Sequence, residues 1–141
     1  NIWNDPHAAD IVFAAEWDIT MVGLDVTTRV QCVPADFDRL EAAAPKIGGF
    51  LNEAVQFYFD FYASHYGKRG CDMHDPSAII ALTDPQYFTI ETHALEVIVD
   101  GARIGQTVRS ADPSRPKHKV PMDVDVEGVK QRFLSMIETG F

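Results

Sequence analysis

The chain has 141 residues, of which 46% are hydrophobic and 23% charged, as in an ordinary globular protein of one domain. Its formal net charge of −9 argues against a nucleic-acid partner, because such a surface cannot neutralise a row of phosphates. No apolar run approaches the roughly 20 residues of a membrane span. Two cysteines, Cys32 and Cys71, are too few and too far apart in sequence for a disulfide framework or a zinc site. We therefore expect a soluble, cytoplasmic protein with no membrane partner.

The first predicted element is a helix that begins almost at the start of the chain. Asn4-Asp5-Pro6 offers a cap and a first-turn proline, and apolar residues follow at helical spacing. Domains usually begin with looser chain, so we expect this sequence to be a piece of a longer protein. Residues 19–26 are apolar almost throughout and predict a strand buried on both faces. A helix followed by a buried strand favours a largely parallel sheet.

Helices dominate the middle of the chain. Residues 34–40 predict a short helix that ends before Pro45, and residues 46–66 predict the longest helix, which Gly67 can stop. The long helix carries a broad band of apolar and aromatic residues on one side and polar residues on the other. Residues 76–83 predict a third helix in this region, which is broken by Asp84-Pro85.

The last third of the chain has a different pattern. Residues 93–99, 105–108 and 120–126 predict strands, and Asp100-Gly101 is a hairpin-type signal between the first two. A final helix is expected over residues 127–138. The fold class is therefore α/β, with a small β excursion before the closing helix.

The most informative segment is Asp72-Met73-His74-Asp75-Pro76. Pro76 suits a first helical turn, so we expect Asp75 to cap the helix and His74 to lie on the loop before it. In the simplest interpretation Asp75 is only a cap and His74 bonds nearby backbone. In the functional interpretation Asp75 is a hard oxygen ligand for Ca²⁺, and His74 exchanges a proton near neutral pH.

This segment does not stand alone. Together with Asn1-x-x-Asn4-Asp5-Pro6-x-Ala8-Ala9, Val22–Thr27 and Arg103–Val108, it resembles the C-terminal half of the nucleoside hydrolases. These calcium-dependent enzymes cut the N-glycosidic bond of ribonucleosides. The resemblance covers essentially the whole chain, and its motifs keep their order, although no single motif is highly specific.

The resemblance implies roles for five residues. It makes Asp75 a calcium ligand that also meets the sugar hydroxyls, and it places Asn1 on the ribose. His74 would lie by the nucleobase and assist its departure as the catalytic acid. Tyr58 and Tyr62 share a helix face, and the resemblance makes them our choice for bordering the base; core packing is the simpler interpretation. Tyr66 lies one turn further on.

One family motif is missing. The DxDxGxDD cluster, which would supply further calcium ligands and the aspartate that activates water, does not occur in residues 1–141. The run Asp123-x-Asp125-x-Glu127 suggests an EF-hand loop, but its twelfth position is Leu134 where a bidentate glutamate is required. The resemblance thus implies a general base and further ligands in an absent N-terminal half, with residues 1–141 forming the C-terminal segment of one domain.

Other chemistries have weaker support. The chain has no G-x-S-x-G, no Gly-rich phosphate loop and no H-E-x-x-H, and Ser77 suits a helix start better than a hydrolase dyad. Asp25 ends the predicted buried strand, and the resemblance gives it no catalytic role. Two alternatives stay open: a non-catalytic nucleoside-binding or assembly remnant on the same scaffold, and an unrelated α/β interaction domain. For the complete enzyme the resemblance implies a ribonucleoside substrate and a homo-oligomer.

Overall fold

A computed structural model describes residues 1–140 of the chain and divides them into two compact units. Unit 1 comprises residues 1–21 and 90–122, and unit 2 comprises residues 22–89 and the C-terminal segment from Asp123. The α-helices are α1 (Pro6–Ala14), α2 (Leu24–Thr27), α3 (Pro34–Ala43), α4 (Pro45–Tyr66), α5 (His74–Thr83) and α6 (Val126–Thr139). The strands are β1 (Gln31–Cys32), β2 (Cys71–Asp72), β3 (Phe88–Val97), β4 (Thr107–Arg109) and β5 (Lys117–Val124).

The strands form two small sheets. Strands β1 and β2 pair antiparallel, and a three-stranded sheet has the order β4-β3-β5, with β3 and β4 antiparallel. A bridge between Thr20 and Lys119 is parallel. The α/β class is confirmed, as are the hairpin predicted at Asp100-Gly101 and the closing helix, which Asp125 caps by accepting from the Gly128 amide at 2.9 Å. None of the helices in residues 1–140 is long and apolar enough to cross a membrane.

Helix α1 begins where the sequence predicts. The Asp5 carboxylate accepts a hydrogen bond from the Ala8 amide at 2.9 Å, which satisfies one of the free donors of the first turn. The helix packs its buried Phe13 against Leu95, Val97 and Val120 of the sheet, and this cluster is the apolar core of unit 1.

A polar network ties the same helix to the sheet. Asp10 accepts from the Val97 amide at 2.9 Å and pairs with Arg115 at 2.7 Å, and Arg115 also donates to the Leu95 carbonyl at 3.0 Å. The hydrogen bond from Arg115, followed by the bond from Val97 and the guanidinium charge, lowers the pKa of Asp10 despite partial burial. The ionised form of Asp10 is therefore the one that the folded chain prefers.

This network predicts an acid-sensitive contribution to stability. Because the pKa of Asp10 is lower in the folded state, its contribution is present above the ordinary value of 3.8 and is lost as the pH falls below it. We expect Asp10→Asn to destabilise the protein more at pH 6 than near pH 2.5, as measured by thermal unfolding. Asp18→Asn is the control, because Asp18 pairs with Lys119 on the exposed surface. Equal effects at both pH values would contradict the prediction.

The prediction of a strand over residues 19–26 is wrong for most of that range. Only its start pairs, through the parallel bridge at Thr20, while residues 24–27 form helix α2. The Gly23 carbonyl accepts from the Val26 and Thr27 amides at 3.1 Å and so starts a helical turn. An apolar run fits a buried strand and a buried helical turn equally well, because periodicity alone does not separate them.

Unit 2 is built around helices α3 and α4, which pack against each other and against α6. The rings of Phe37 and Phe59 meet edge-to-face with centroids 5.6 Å apart. Helix α4 ends at Gly67, whose φ of 67° is the left-handed conformation that glycine adopts freely. The apolar band predicted on α4 is placed differently: Val55 and Phe59 are buried, whereas the exposed members are Phe50, Phe57, Tyr58 and Phe61.

Candidate active site

The candidate site in unit 2 is positioned by a short antiparallel ladder. Strand β1 pairs with β2, so that Gln31 lies opposite Asp72 and Cys32 lies opposite Cys71, and the Met73 amide donates to the Val30 carbonyl at 2.8 Å. The two cysteines are thus neighbours across the ladder, although they are distant in sequence, and both are free. Burial raises the pKa of Cys32 to about 12 and that of Cys71 to about 11, so both thiols stay protonated and unreactive at neutral pH.

The ladder leads directly into helix α5, which begins earlier than the sequence predicts. The helix starts at His74, its N-cap is Met73, and no side chain caps it. Asp75 is therefore not the cap, and His74 is not on a preceding loop. The cause is the ladder itself: with Met73 bonded to Val30, the chain turns into a helix at the next residue, before Pro76. Asp75 lies exposed in the first turn, where a carboxylate is favoured by the helix dipole.

His74 has a partner or neighbour at each ring nitrogen. Its Nδ1 lies 2.8 Å from the hydroxyl Oγ1 of Thr27, which is 3% exposed. Its Nε2 lies 3.5 Å from the Tyr62 hydroxyl and 3.9 Å from a carboxylate oxygen of Asp72. The His74 side chain is 39% exposed, so solvent or a ligand can reach the ring while Thr27 holds its other side. The structure therefore brings two of the predicted site residues, His74 and Tyr62, close together.

The electrostatics of this cluster favour a neutral phenol. Burial, followed by the negative charge of Asp72, raises the pKa of Tyr62 above its ordinary value of 10. The hydroxyl is therefore protonated at neutral pH and able to donate a hydrogen bond. Asp72 itself accepts from the Gln31 amide group at 2.7 Å, which fixes one carboxylate oxygen and leaves the other facing His74.

The other two tyrosines of this helix, Tyr58 and Tyr66, have different surroundings from Tyr62. Tyr58 is exposed and its ring packs edge-to-face on Phe57, with centroids 5.9 Å apart, so it is not core packing. Tyr66 lies beside Tyr62, with ring centroids 5.2 Å apart. The contact to His74 thus belongs to Tyr62, whereas the predicted role of Tyr58 beside a base remains a prediction.

Asp75 and Asn1 are the remaining predicted residues. Asp75 offers one exposed carboxylate, which is a suitable calcium ligand, but residues 1–140 contain no group of three or more acidic, histidine or cysteine side chains that could hold a metal ion. One carboxylate fits as part of a calcium site and is not a site by itself. Asn1 is exposed in unit 1, where its carbonyl accepts from the Asn4 amide at 3.1 Å. Its ribose contact remains a prediction.

The structure argues against two alternative sites, the EF-hand-like run and a hydrolase dyad that includes Ser77. Asp123 pairs with Arg29 at 2.6 Å, and Asp125 caps α6, so both aspartates of the EF-hand-like run have structural partners. Ser77 is fully buried on α5, where a substrate could not reach its hydroxyl.

Sequence reasoning missed Thr27, Gln31 and Asp72 as members of the cluster. Asp72 lies inside the segment that the sequence singles out, two residues before His74, and Thr27 closes the motif that begins at Val22. The contact of Thr27 with His74 spans 47 residues of sequence and that of Gln31 with Asp72 spans 41, and no local pattern reveals either contact.

Comparison with known proteins agrees with the resemblance seen in the sequence. The sequence model of the family described as "Inosine-uridine preferring nucleoside hydrolase" matches residues 1–131. A probable uridine nucleosidase from Oryza sativa subsp. japonica is 38% identical over 108 residues, which cover 77% of this chain and 33% of the relative.

Solved structures show the same relation. A plant nucleoside hydrolase superposes with a TM-score of 0.90 at 32% identity, covering 100% of this chain and 47% of that one. A purine-preferring ribonucleoside hydrolase from Gardnerella vaginalis gives a TM-score of 0.89 at 31% identity, covering 99% of this chain and 45% of that one. The chain thus spans between a third and a half of the length of the proteins it matches.

Proposed function

Because this chain belongs to the inosine-uridine preferring nucleoside hydrolase family, we propose that the complete protein hydrolyses the N-glycosidic bond of ribonucleosides to ribose and free base. The observation that carries the proposal is the His74 cluster, in which a half-exposed imidazole has one nitrogen anchored and the other directed toward a phenol and a carboxylate. Such a group can deliver a proton to a departing base. Residues 1–141 would form the C-terminal segment of one hydrolase domain.

The acid role follows from the chemistry of the bond. Cleavage of a ribosyl bond passes through a transition state like an oxocarbenium ion, in which negative charge develops on the leaving base. A proton donated from His74 at Nε2 neutralises that charge and lowers the barrier. A carboxylate oxygen of Asp72 lies 3.9 Å from the same nitrogen.

Tyr62 supports the same step. Its hydroxyl lies at the long limit of hydrogen-bond distance from Nε2 and remains protonated at neutral pH. The hydroxyl can therefore accept one hydrogen bond and donate another between the imidazole and the base, and it stays uncharged while it does so. We assign Tyr58, which is exposed one turn earlier on α4, to the border of the base.

The sugar side of the substrate is assigned to Asn1 and Asp75. Asp75 contributes one carboxylate to a calcium site whose other ligands belong to the N-terminal half of the domain, together with the carboxylate that removes a proton from water. Calcium, when bound, supplies a positive charge that acidifies water and holds the sugar diol. On this proposal residues 1–141 alone have no appreciable hydrolytic activity.

The test is an assay of the complete protein on uridine and inosine, with and without a calcium chelator. Asp75→Asn is expected to raise the calcium concentration for half-maximal activity by about tenfold or more, because it removes a charged ligand. Asp25→Asn is the matched control, since Asp25 is also an exposed aspartate in the first turn of a short helix. Hydrolysis that chelation leaves unchanged would overturn the calcium assignment, and no hydrolysis of either nucleoside would overturn the function.

A further inference from the structure

We propose that Thr27 is a positioning residue that fixes the orientation of the His74 ring. This inference rests on the proposed function for its catalytic consequence, whereas the contact itself rests only on geometry. Thr27 Oγ1 lies 2.8 Å from His74 Nδ1, and Thr27 is buried at the end of α2.

The neighbouring threonine, Thr28, uses its hydroxyl in a different way from Thr27. Thr28 Oγ1 donates to the Leu24 carbonyl of its own helix at 2.6 Å, which is the usual local bond of a helical threonine. Thr27 makes its contact instead with a side chain 47 residues away. The turn of α2 and the β1–β2 ladder together bring the hydroxyl to the ring.

A hydroxyl suits both protonation states of the ring. When His74 is neutral, Thr27 can donate to Nδ1, which leaves the proton on Nε2, the nitrogen near Tyr62 and Asp72. When His74 is charged, Nδ1 carries a proton and donates to the same oxygen. Once a proton has left Nε2 of the charged ring, Nδ1 keeps its own proton and still donates to the same oxygen, so the hydroxyl can hold the ring before and after the transfer.

The test compares Thr27→Val, which keeps the shape and removes the hydroxyl, with Thr27→Ser, which keeps the hydroxyl. In the complete protein we expect Thr27→Val to lower kcat for uridine and inosine about tenfold, the effect of roughly one hydrogen bond, with KM changed less than twofold. Hydrolysis of a 4-nitrophenyl riboside should change little, because its leaving group departs without a proton. Thr27→Ser should restore most of the activity.

Two controls separate positioning from folding. Thr28→Val removes an equivalent but exposed hydroxyl and is expected to keep wild-type kinetics. Thermal unfolding checks that Thr27→Val is folded, and Thr27→Ala takes its place if it is not. Nitrogen NMR of the histidine side chains, assigned with His74→Gln, reports the hydrogen bond at Nδ1 and does not depend on activity.

The outcomes are distinct. Equal losses of kcat on nucleosides and on the nitrophenyl riboside, or unchanged His74 nitrogen shifts in Thr27→Val, would overturn the positioning role. A wild-type protein that fails to hydrolyse nucleosides, but whose His74 nitrogen shifts change in Thr27→Val, would overturn the proposed function and leave Thr27 as the residue that orients the ring.

Discussion

Replacement of His74 by alanine is expected to lower kcat for uridine and inosine by about a hundredfold or more, the usual contribution of a general acid. The same variant should hydrolyse a 4-nitrophenyl riboside within a few-fold of the wild type, because nitrophenolate needs no proton to leave. The reason lies in the cluster: once the imidazole is removed, Tyr62 is the remaining donor near the base, and its raised pKa makes it a much weaker acid.

The control for this prediction is His93→Ala. His93 is a histidine of unit 1 whose ring pairs with Glu91 at 2.6 Å, and we expect its loss to leave kcat unchanged on both substrates. A His74→Ala variant that loses activity equally on both substrates would show that His74 is not the acid.

The second large effect concerns stability and two adjacent glycines of α4. A Cβ added at Gly48 would lie 2.1 Å from the Leu40 carbonyl oxygen and 2.6 Å from the Glu41 amide nitrogen, so α3 and α4 could not keep their present separation. Because the obstructing atoms are backbone, no side chain can move aside. We expect Gly48→Ala to reduce the free energy of unfolding by about 3 kcal/mol, at the upper end of overpacking effects.

Gly49 is the matched control for that substitution. Its added Cβ would meet only the Glu41 side chain, at 3.7 Å or more, which is an ordinary contact. Alanine is the better helix former by up to about 1 kcal/mol, so Gly49→Ala should leave stability unchanged or raise it. Chemical unfolding of the two variants measures the difference. Similar stabilities would mean that the helices separate without cost.

The elements that the sequence predicts correctly are those with local signals. Asp5-Pro6 starts α1, Gly67 ends α4 in the left-handed conformation, and Asp100-Gly101 separates the paired strands β3 and β4. Each of these signals acts through atoms within a few residues. The α/β class and the C-terminal half of a nucleoside hydrolase follow from the order of such elements and motifs.

The parts that the sequence does not reveal are set by distant contacts. The start of α5 moves to His74 because Met73 is tied to Val30. The burial of Phe59, rather than of the exposed Phe57 and Phe61, depends on where α3 lies. Thr27 joins the site through its contact with His74, which is 47 residues away.

The β1–β2 ladder has a consequence for how the site assembles during folding. It joins segments about 40 residues apart, and between them lies the antiparallel pair of helices α3 and α4. Loop closure costs less entropy when the intervening chain is already compact, since the effective loop is shorter. The pairing of Gln31 with Asp72 is therefore expected to form after the two helices have docked. A substitution that weakens the contact between α3 and α4 should then also slow the assembly of the His74 cluster.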